Sequence, residues 1–344
     1  MRHTAHAEDN AENNAEDNGE NGGGTGGETG RGNGGGNGIG NGRESDLRAF
    51  EEAYDAVLAQ WPEATVTSTL PTRYGTTHLT SCGPPDAPPV VLLPGGGATA
   101  TGWAGTATEL ARTHRVHVLD LIGDPGRSVA SGPRIRTVEA LMTWLDETLA
   151  ALPAGGAPGA GEAPGAEGAP VPTPITLCGH SYGAWIALHY ALHAPQGRLR
   201  RLVLLDPTQC FTGLRPAYVA RALPMLLRPT ARRIRAFLEW ETAASAAPLD
   251  PAWLRLQERT ADFPAVRPVT GPRPDPAALR TLTTPALLLL AGAGKAQDAA
   301  RVARRAGELL PGATTEILPT ATHHALPLAA PPGTNELISG FLAD

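Results

Sequence analysis

Gly179-His180-Ser181-Tyr182-Gly183 sets a serine between two glycines, after the apolar run Ile175–Cys178 and before a helical stretch that opens at Ala184. A serine on such a strand-to-helix turn projects its hydroxyl above a sheet edge, and the flanking glycines spare the neighbouring strand and helix a collision. The chemistry this permits is nucleophilic attack on an acyl carbon. In a chain with 41 glycines the string alone carries little weight. A strand on one side and a helix on the other make it specific. A free hydroxyl is a weak nucleophile at neutral pH, so a base must stand beside it. His323, in Leu318-Pro319-Thr320-Ala321-Thr322-His323-His324 beyond the apolar segment Thr315–Leu318, is the candidate, with His324 as its alternative. Acyl transfer also needs donors for the developing oxyanion. The loop Leu93-Pro94-Gly95-Gly96-Gly97-Ala98 offers unobstructed backbone amides. We take the N–H groups of Gly96 and Tyr182 as the donors, each typically worth about 3 kcal/mol in the transition state. No Gly-Lys-Ser/Thr follows the glycines, which argues against a phosphate loop.

These residues need a rigid frame, and the sequence supplies one. Pro89–Leu93, Val116–Leu121, Ile175–Cys178, Leu202–Leu205 and Ala286–Leu290 are continuous apolar runs of strand length. Helical stretches, among them Val138–Leu152 and Ala184–His193, separate most of them. Unbroken apolar strands alternating with helices predict an α/β fold with a mostly parallel sheet covered on both faces. Ahead of it, Leu47, Phe50, Tyr54, Val57, Leu58 and Trp61 recur at helical spacing until Pro62 stops the run. Shorter β-type segments follow near Thr65–Leu70 and Thr76–Ser81. The interval from Pro207 to Thr284 breaks the rhythm with helices only, near Pro216–Leu227, Thr230–Ala243 and Pro251–Ala261.

Composition narrows the function further. The chain has 344 residues and a formal charge of −6, and residues 1–43 hold seven acids against three arginines. That Gly/Asn/acidic tail cannot bury enough apolar surface to offset its ordering entropy and reads as disordered. The Gly/Ala/Pro-rich stretch 153–174 reads as a flexible insertion. A near-neutral body excludes the basic footprint of a nucleic-acid binder. The longest apolar run is too short to span a bilayer, and the N-terminus has no apolar leader segment, so no membrane partner is expected. Three widely spaced cysteines form neither a metal-ligand pattern nor a disulfide framework, which fits the cytoplasm.

Taken in order, several pieces resemble the α/β-hydrolase superfamily over about residues 62–342. They are Leu92-Leu93-Pro94-Gly95-Gly96-Gly97 with Trp103 downstream, Asp120-Leu121-Ile122-Gly123-Asp124-Pro125-Gly126-Arg127-Ser128, the elbow Gly179–Gly183, Leu204-Leu205-Asp206-Pro207, and the histidine loop. Within the superfamily the chain is similar to bacterial carboxylesterase-like members. The resemblance implies a sheet of about eight strands, a helical cap after the sixth, and no cofactor or metal. It divides the chain into a tail (1–43), a core in two parts (44–206 and 285–344) and a cap (207–284). It implies cleavage of a carboxylic ester or thioester through an acyl-serine. A lyase, acyltransferase or cofactor-free oxygenase on the same Ser/His pair is the alternative, as is a ligand-binding pseudo-hydrolase. Two positions depart from the pattern. Pro94 stands where a histidine is usual, and Lys295 stands where the triad acid is expected, three residues after Gly292. Asp206, at the end of a strand, and Asp298, ahead of a helix, are the candidate acids; the absence of any acid is the remaining option.

Overall fold

The computed structural model describes residues 37–153, 173–245, 247–263 and 268–343. Two units divide the chain, Met1–Asn41 and Gly42–Asp344. The predicted tail 1–43 lies almost wholly outside the described residues, and the predicted insertion 153–174 mostly so.

The second unit is built on one sheet. After α1 (Asn37–Leu58) come β1 (Val66–Thr72), β2 (Gly75–Cys82), β3 (Pro89–Leu93), α2 (Ala104–Leu110), β4 (Arg115–Leu119) and the two-residue β5 (Val129–Ala130). Next are α3 (Val138–Ala150), β6 (Ile175–His180), α4 (Tyr182–His193) and β7 (Leu199–Leu205). Helices α5 (Pro216–Leu227), α6 (Ala231–Thr242), α7 (Pro251–Arg259) and α8 (Pro276–Thr281) separate β7 from β8 (Ala286–Ala291). The chain closes with α9 (Ala299–Leu309), β9 (Thr314–Leu318) and α10 (Thr334–Ala343).

Eight strands follow the order β1-β2-β4-β3-β6-β7-β8-β9, and β5 pairs off this path with β2. The pairs involving β1, β2 and β5 are antiparallel; β4-β3-β6-β7-β8-β9 run parallel. The expected count of eight thus holds for the main path. The ninth strand, two exposed residues long, has no apolar run by which the sequence could announce it.

Alternation along the strands explains the two-sided burial. Leu202 and Leu204 enter one core with Leu145, Ile186 and Val302, from α3, α4 and α9. Val203 and Leu205 enter the other with Leu110, Ile338 and Leu342, from α2 and α10. Successive side chains point to opposite faces, so a strand buried on both sides must be apolar throughout, and β6 and β8 are buried at every position. A third core joins Phe50 and Tyr54 of α1 to Tyr218, Phe237 and Trp253 of α5–α7. The parallel strands release their loops at one edge, where ligands of such sheets are bound.

Candidate active site

Ser181 sits between β6 and α4 with φ 53° and ψ −113°, a backbone conformation that side-chain-bearing residues rarely adopt. Its surroundings enforce it. The Ser181 N–H donates to the Leu205 carbonyl at 3.0 Å. A Cβ at Gly179 would stand 2.3 Å from the Gly183 oxygen, and one at Gly183 would stand 2.3 Å from the Leu93 oxygen. Backbone cannot yield as a side chain can, so Gly183→Ala is expected to destabilise by about 3 kcal/mol or more, at the upper end of overpacking costs. Gly307 in α9 meets nothing within 4 Å. There the same substitution is expected to stabilise by about 0.5–1 kcal/mol through helix propensity. Thermal melts of both variants check the contrast.

His323 is 1% exposed. Its Nε2 lies 2.9 Å from Ser181 Oγ and its Nδ1 lies 2.6 Å from Asp206 Oδ2. An ionised carboxylate only accepts, so Nδ1 carries the hydrogen and Nε2 is left to accept the serine hydroxyl. Asp206 directly follows β7, with φ 42°. Its second oxygen, Oδ1, accepts from Gln297 Nε2 at 3.0 Å and from the Ala291 N–H at 3.3 Å. The remaining candidates go elsewhere. Asp298 is exposed and accepts the Arg301 N–H at 2.9 Å, capping α9, so it is not brought to the histidine. His324 shares a 2.9 Å hydrogen bond with the Tyr218 hydroxyl. Lys295 aims its ammonium at the carbonyls of Trp240 and Glu241 at the end of α6.

Three imidazoles meet here, with ring centroids of His180 and His324 each 4.9 Å from that of His323. Their basicities diverge. Burial opposes charge on His323, but the hydrogen bond and charge of Asp206, with the charge of Glu241, overcome it and lift the pKa above the ordinary histidine value. Burial, then the neighbouring His323 and His324, hold His180 well below that value. It donates through Nε2 to the His323 carbonyl at 2.8 Å, as a neutral ring can. Burial and then His323 lower His324 to about 4.

The glycine loop lies against the elbow. A Cβ on Gly95 would sit 3.4 Å from Ser181 Cβ, and one on Gly96 would sit 3.5 Å from Tyr182 Cβ. Gly97 donates its N–H to Asp124 Oδ2 at 2.9 Å. Among the described residues the Gly96 N–H has no protein acceptor. Tyr182 opens α4, so its N–H has no partner inside the helix. Burial raises Asp124 to about 6, against the pull of the Gly97 amide and with a contribution from Asp120. Ser181 opens into a cavity of about 430 Å³, whose wall away from the glycine loop is largely apolar, with Trp103, Ile234, Phe237, Leu238, Trp253 and Phe263, and is broken by Gln257, Thr260, Thr270 and His324.

Sequence reasoning missed Glu241, Gln297 and the anchoring role of Asp124. Only Glu241 had left a signal. It follows Ile234, Phe237 and Leu238 at i+7 of the apolar stripe of α6, a place where a charge needs a reason.

The sequence model described as "Alpha/beta hydrolase family" matches residues 90–337. Carboxylesterase YbfK of Bacillus subtilis (strain 168) is 27% identical over 307 residues, covering 87% of this chain and 95% of the relative. From the same organism, an uncharacterized carboxylesterase, nap, is 25% identical over 308 residues, covering 85% and 91%. The crystal structure of carboxylesterase CesB (YbfK) superposes with a TM-score of 0.74 at 25% identity, over 87% of this chain and 98% of that one.

Proposed function

The chain belongs to the alpha/beta hydrolase family, and on that premise we propose that it cleaves a carboxylic ester or thioester through an acyl-Ser181 intermediate. One observation carries the reading: an unbroken relay from Asp206 Oδ2 through the His323 ring to Ser181 Oγ, with links of 2.6 and 2.9 Å. In this mechanism His323 Nε2 takes the hydroxyl proton as Oγ bonds to the acyl carbon. The carbonyl oxygen, now negative, faces the amides of Gly96 and Tyr182. The imidazolium gives its proton to the departing alcohol or thiol, and His323 then deprotonates the water that releases the acid. Asp206 holds the Nδ1 hydrogen and stabilises the imidazolium.

The carboxylesterase relatives support an ester as the substrate class. No observation favours a lyase, acyltransferase or oxygenase. The lysine at position 295 is the feature that speaks for a pseudo-hydrolase; the Asp206–His323 contact supports a working base instead. We read α5–α7 as a cap whose apolar residues receive the acyl or alcohol part of a small-molecule substrate. Among the described residues no helix is long and apolar enough to cross a membrane. The three cysteines are free and buried, which agrees with a cytoplasmic setting.

The reading is tested by exposing the protein to a fluorescent alkyl phosphonate while following hydrolysis of short p-nitrophenyl esters. Stoichiometric labelling with parallel loss of turnover is expected; a protein that neither labels nor turns over would sink the proposal. The base must be neutral to accept a proton. Because Asp206 and Glu241 raise the His323 pKa, kcat/KM is expected to fall as pH drops through a value above about 6.5. An acid limb centred at or below that value would count against the Asp206–His323 pairing.

The Gly97 anchor gives a smaller effect. Asp124→Ala frees the loop that aims the Gly96 amide and is expected to lower kcat by up to about 10²-fold, the scale of one lost oxyanion donor. Asp124→Asn keeps an acceptor for Gly97 and should recover most of that loss when the two are assayed on the same ester.

A further inference from the structure

Glu241 is fully buried, with 0% exposure, on a helix that contributes no atom to the relay. Its carboxylate reaches across to both loops that frame the catalytic histidine. Oε1 accepts the Lys295 N–H and the His323 N–H, each at 3.1 Å, and Oε2 accepts the His324 N–H at 3.0 Å. The exchange also runs the other way. Lys295 Nζ donates to the carbonyls of Trp240 and Glu241, in the last turn of α6, where no helical donor remains for them. The same ammonium lies 5.0 Å from the Trp240 ring centroid. The residue at the expected acid position thus serves as a C-terminal cap for an inserted helix, while that helix returns a carboxylate to the histidine loop.

We propose that Glu241 is a positioning residue for His323: it fixes the histidine backbone between Asp206 and Ser181, so that the base reaches its working place only when α6 is seated. This rests on the proposed role of His323 as base. The physical case begins with cost. A buried carboxylate is tolerated only when several donors converge on it, and an apolar residue would complete the Ile234–Phe237–Leu238 stripe without that cost. The donors that converge here are the backbone amides of His323, His324 and Lys295, so the charge is matched to the loops around the base. A second consequence is electrostatic. The groups facing the His323 ring are Asp206 from β7, Glu241 from α6, His180 from β6, Tyr218 from α5 and His324 from its own loop. Glu241 and Asp206 are the carboxylates that favour its protonated form.

Glu241→Gln removes the charge and turns an amide N–H₂ toward one of the three backbone donors. Displacement of the base by a fraction of an ångström to about 1 Å is expected to lower kcat by about 10- to 100-fold. KM for a short p-nitrophenyl ester should stay within about twofold, since Glu241 does not line the cavity. The acid limb of kcat/KM should move to lower pH as the favourable charge is lost. All rates are to be normalised to sites titrated by phosphonate, so that a merely structural role, fewer folded molecules each of normal activity, leaves kcat per site and the limb unchanged. That last pattern would overturn the proposal. Should Glu241→Gln fail to fold, Lys295→Met removes the other half of the exchange and keeps the carboxylate. It should lower kcat per site by up to about 10-fold with KM unchanged, and an unaltered kcat there would overturn the proposal equally. A wild-type protein that does not label would strike at Ser181 itself, whereas a labelled, active wild type with a silent Glu241→Gln overturns only the role of Glu241.

Discussion

Ser181→Ala is expected to lower kcat toward p-nitrophenyl esters by about 10⁶-fold, the scale on which loss of a triad serine is felt elsewhere. The oxygen it removes is the one to which His323 Nε2 is bonded at 2.9 Å. Nearby hydroxyls offer no substitute. Thr208 Oγ1 lies 3.5 Å from Ser181 Oγ, at the outer limit of a hydrogen bond, and His323 does not reach it in the hydrogen-bonded arrangement. What remains is the positioning of the ester by the cavity and the two backbone amides, which typically keeps about 10³–10⁴-fold over water. KM should therefore change little. Stability should also hold, because alanine meets the same backbone conformation, φ 53°, as the serine it replaces. Phosphonate labelling should vanish with turnover. Turnover surviving within tenfold of wild type would mean that another group attacks the ester, and Thr208→Val would be the next variant.

The parts of this molecule that could be read from sequence are those whose cause is local. Pro89–Leu93 is legible as a strand because burial on both faces forces every side chain to be apolar, and the observed β3 has the same bounds. Ile175–Cys178 extends only two residues further in β6. The elbow is legible because its glycines answer to clashes with immediate neighbours, Gly179 with Gly183 and Gly183 with Leu93. α1 starts at Asn37, earlier than the apolar spacing after Ser45 signals, because the added turns are Gly- and Asn-rich and carry no periodicity. The sequence put Asp206 first among the candidate acids but left Asp298 and no acid at all open, for a different reason. Asp206 and His323 are 117 residues apart, and only the parallel pairing of β7 with β8 and β8 with β9 brings their loops to one edge. Glu241 stands 82 residues from His323 and likewise gains its partners through tertiary packing. A sequence can show that a charge sits on an apolar stripe, but not which amides will meet it.

Asp206→Asn and Asp298→Asn, two isosteric changes to the acid that the sequence favours and to its alternative, are expected to separate by about four orders of magnitude in kcat. Asp206 accepts the Nδ1–H of His323 through Oδ2, while Gln297 and Ala291 fill Oδ1. Those two donors fix the side-chain oxygen of an asparagine at the Oδ1 position, which leaves its N–H₂ facing His323. The imidazole can then bond to it only with a bare Nδ1, so its hydrogen moves to Nε2, the atom that must accept the serine proton. A base held in the wrong tautomer costs about 10⁴-fold, and the His323 pKa falls as well, because its largest favourable contribution from a neighbour is lost. The acid limb of the residual activity should therefore shift to lower pH, a signature that simple unfolding does not give. Asp298 has a different task. It accepts the Arg301 N–H at the start of α9, and asparagine serves as a helix N-cap about as well as aspartate. Asp298→Asn should keep kcat within about twofold and melt with the wild type. Asp298→Ala should lose about 1 kcal/mol of stability, again without a change in kcat. If instead Asp298→Asn abolishes turnover and Asp206→Asn does not, the acid is Asp298 and the loop after β8 must rearrange in the working enzyme. That outcome would dissolve the relay on which the proposed function rests, since Asp298 now faces away from the histidine, accepting the Arg301 N–H.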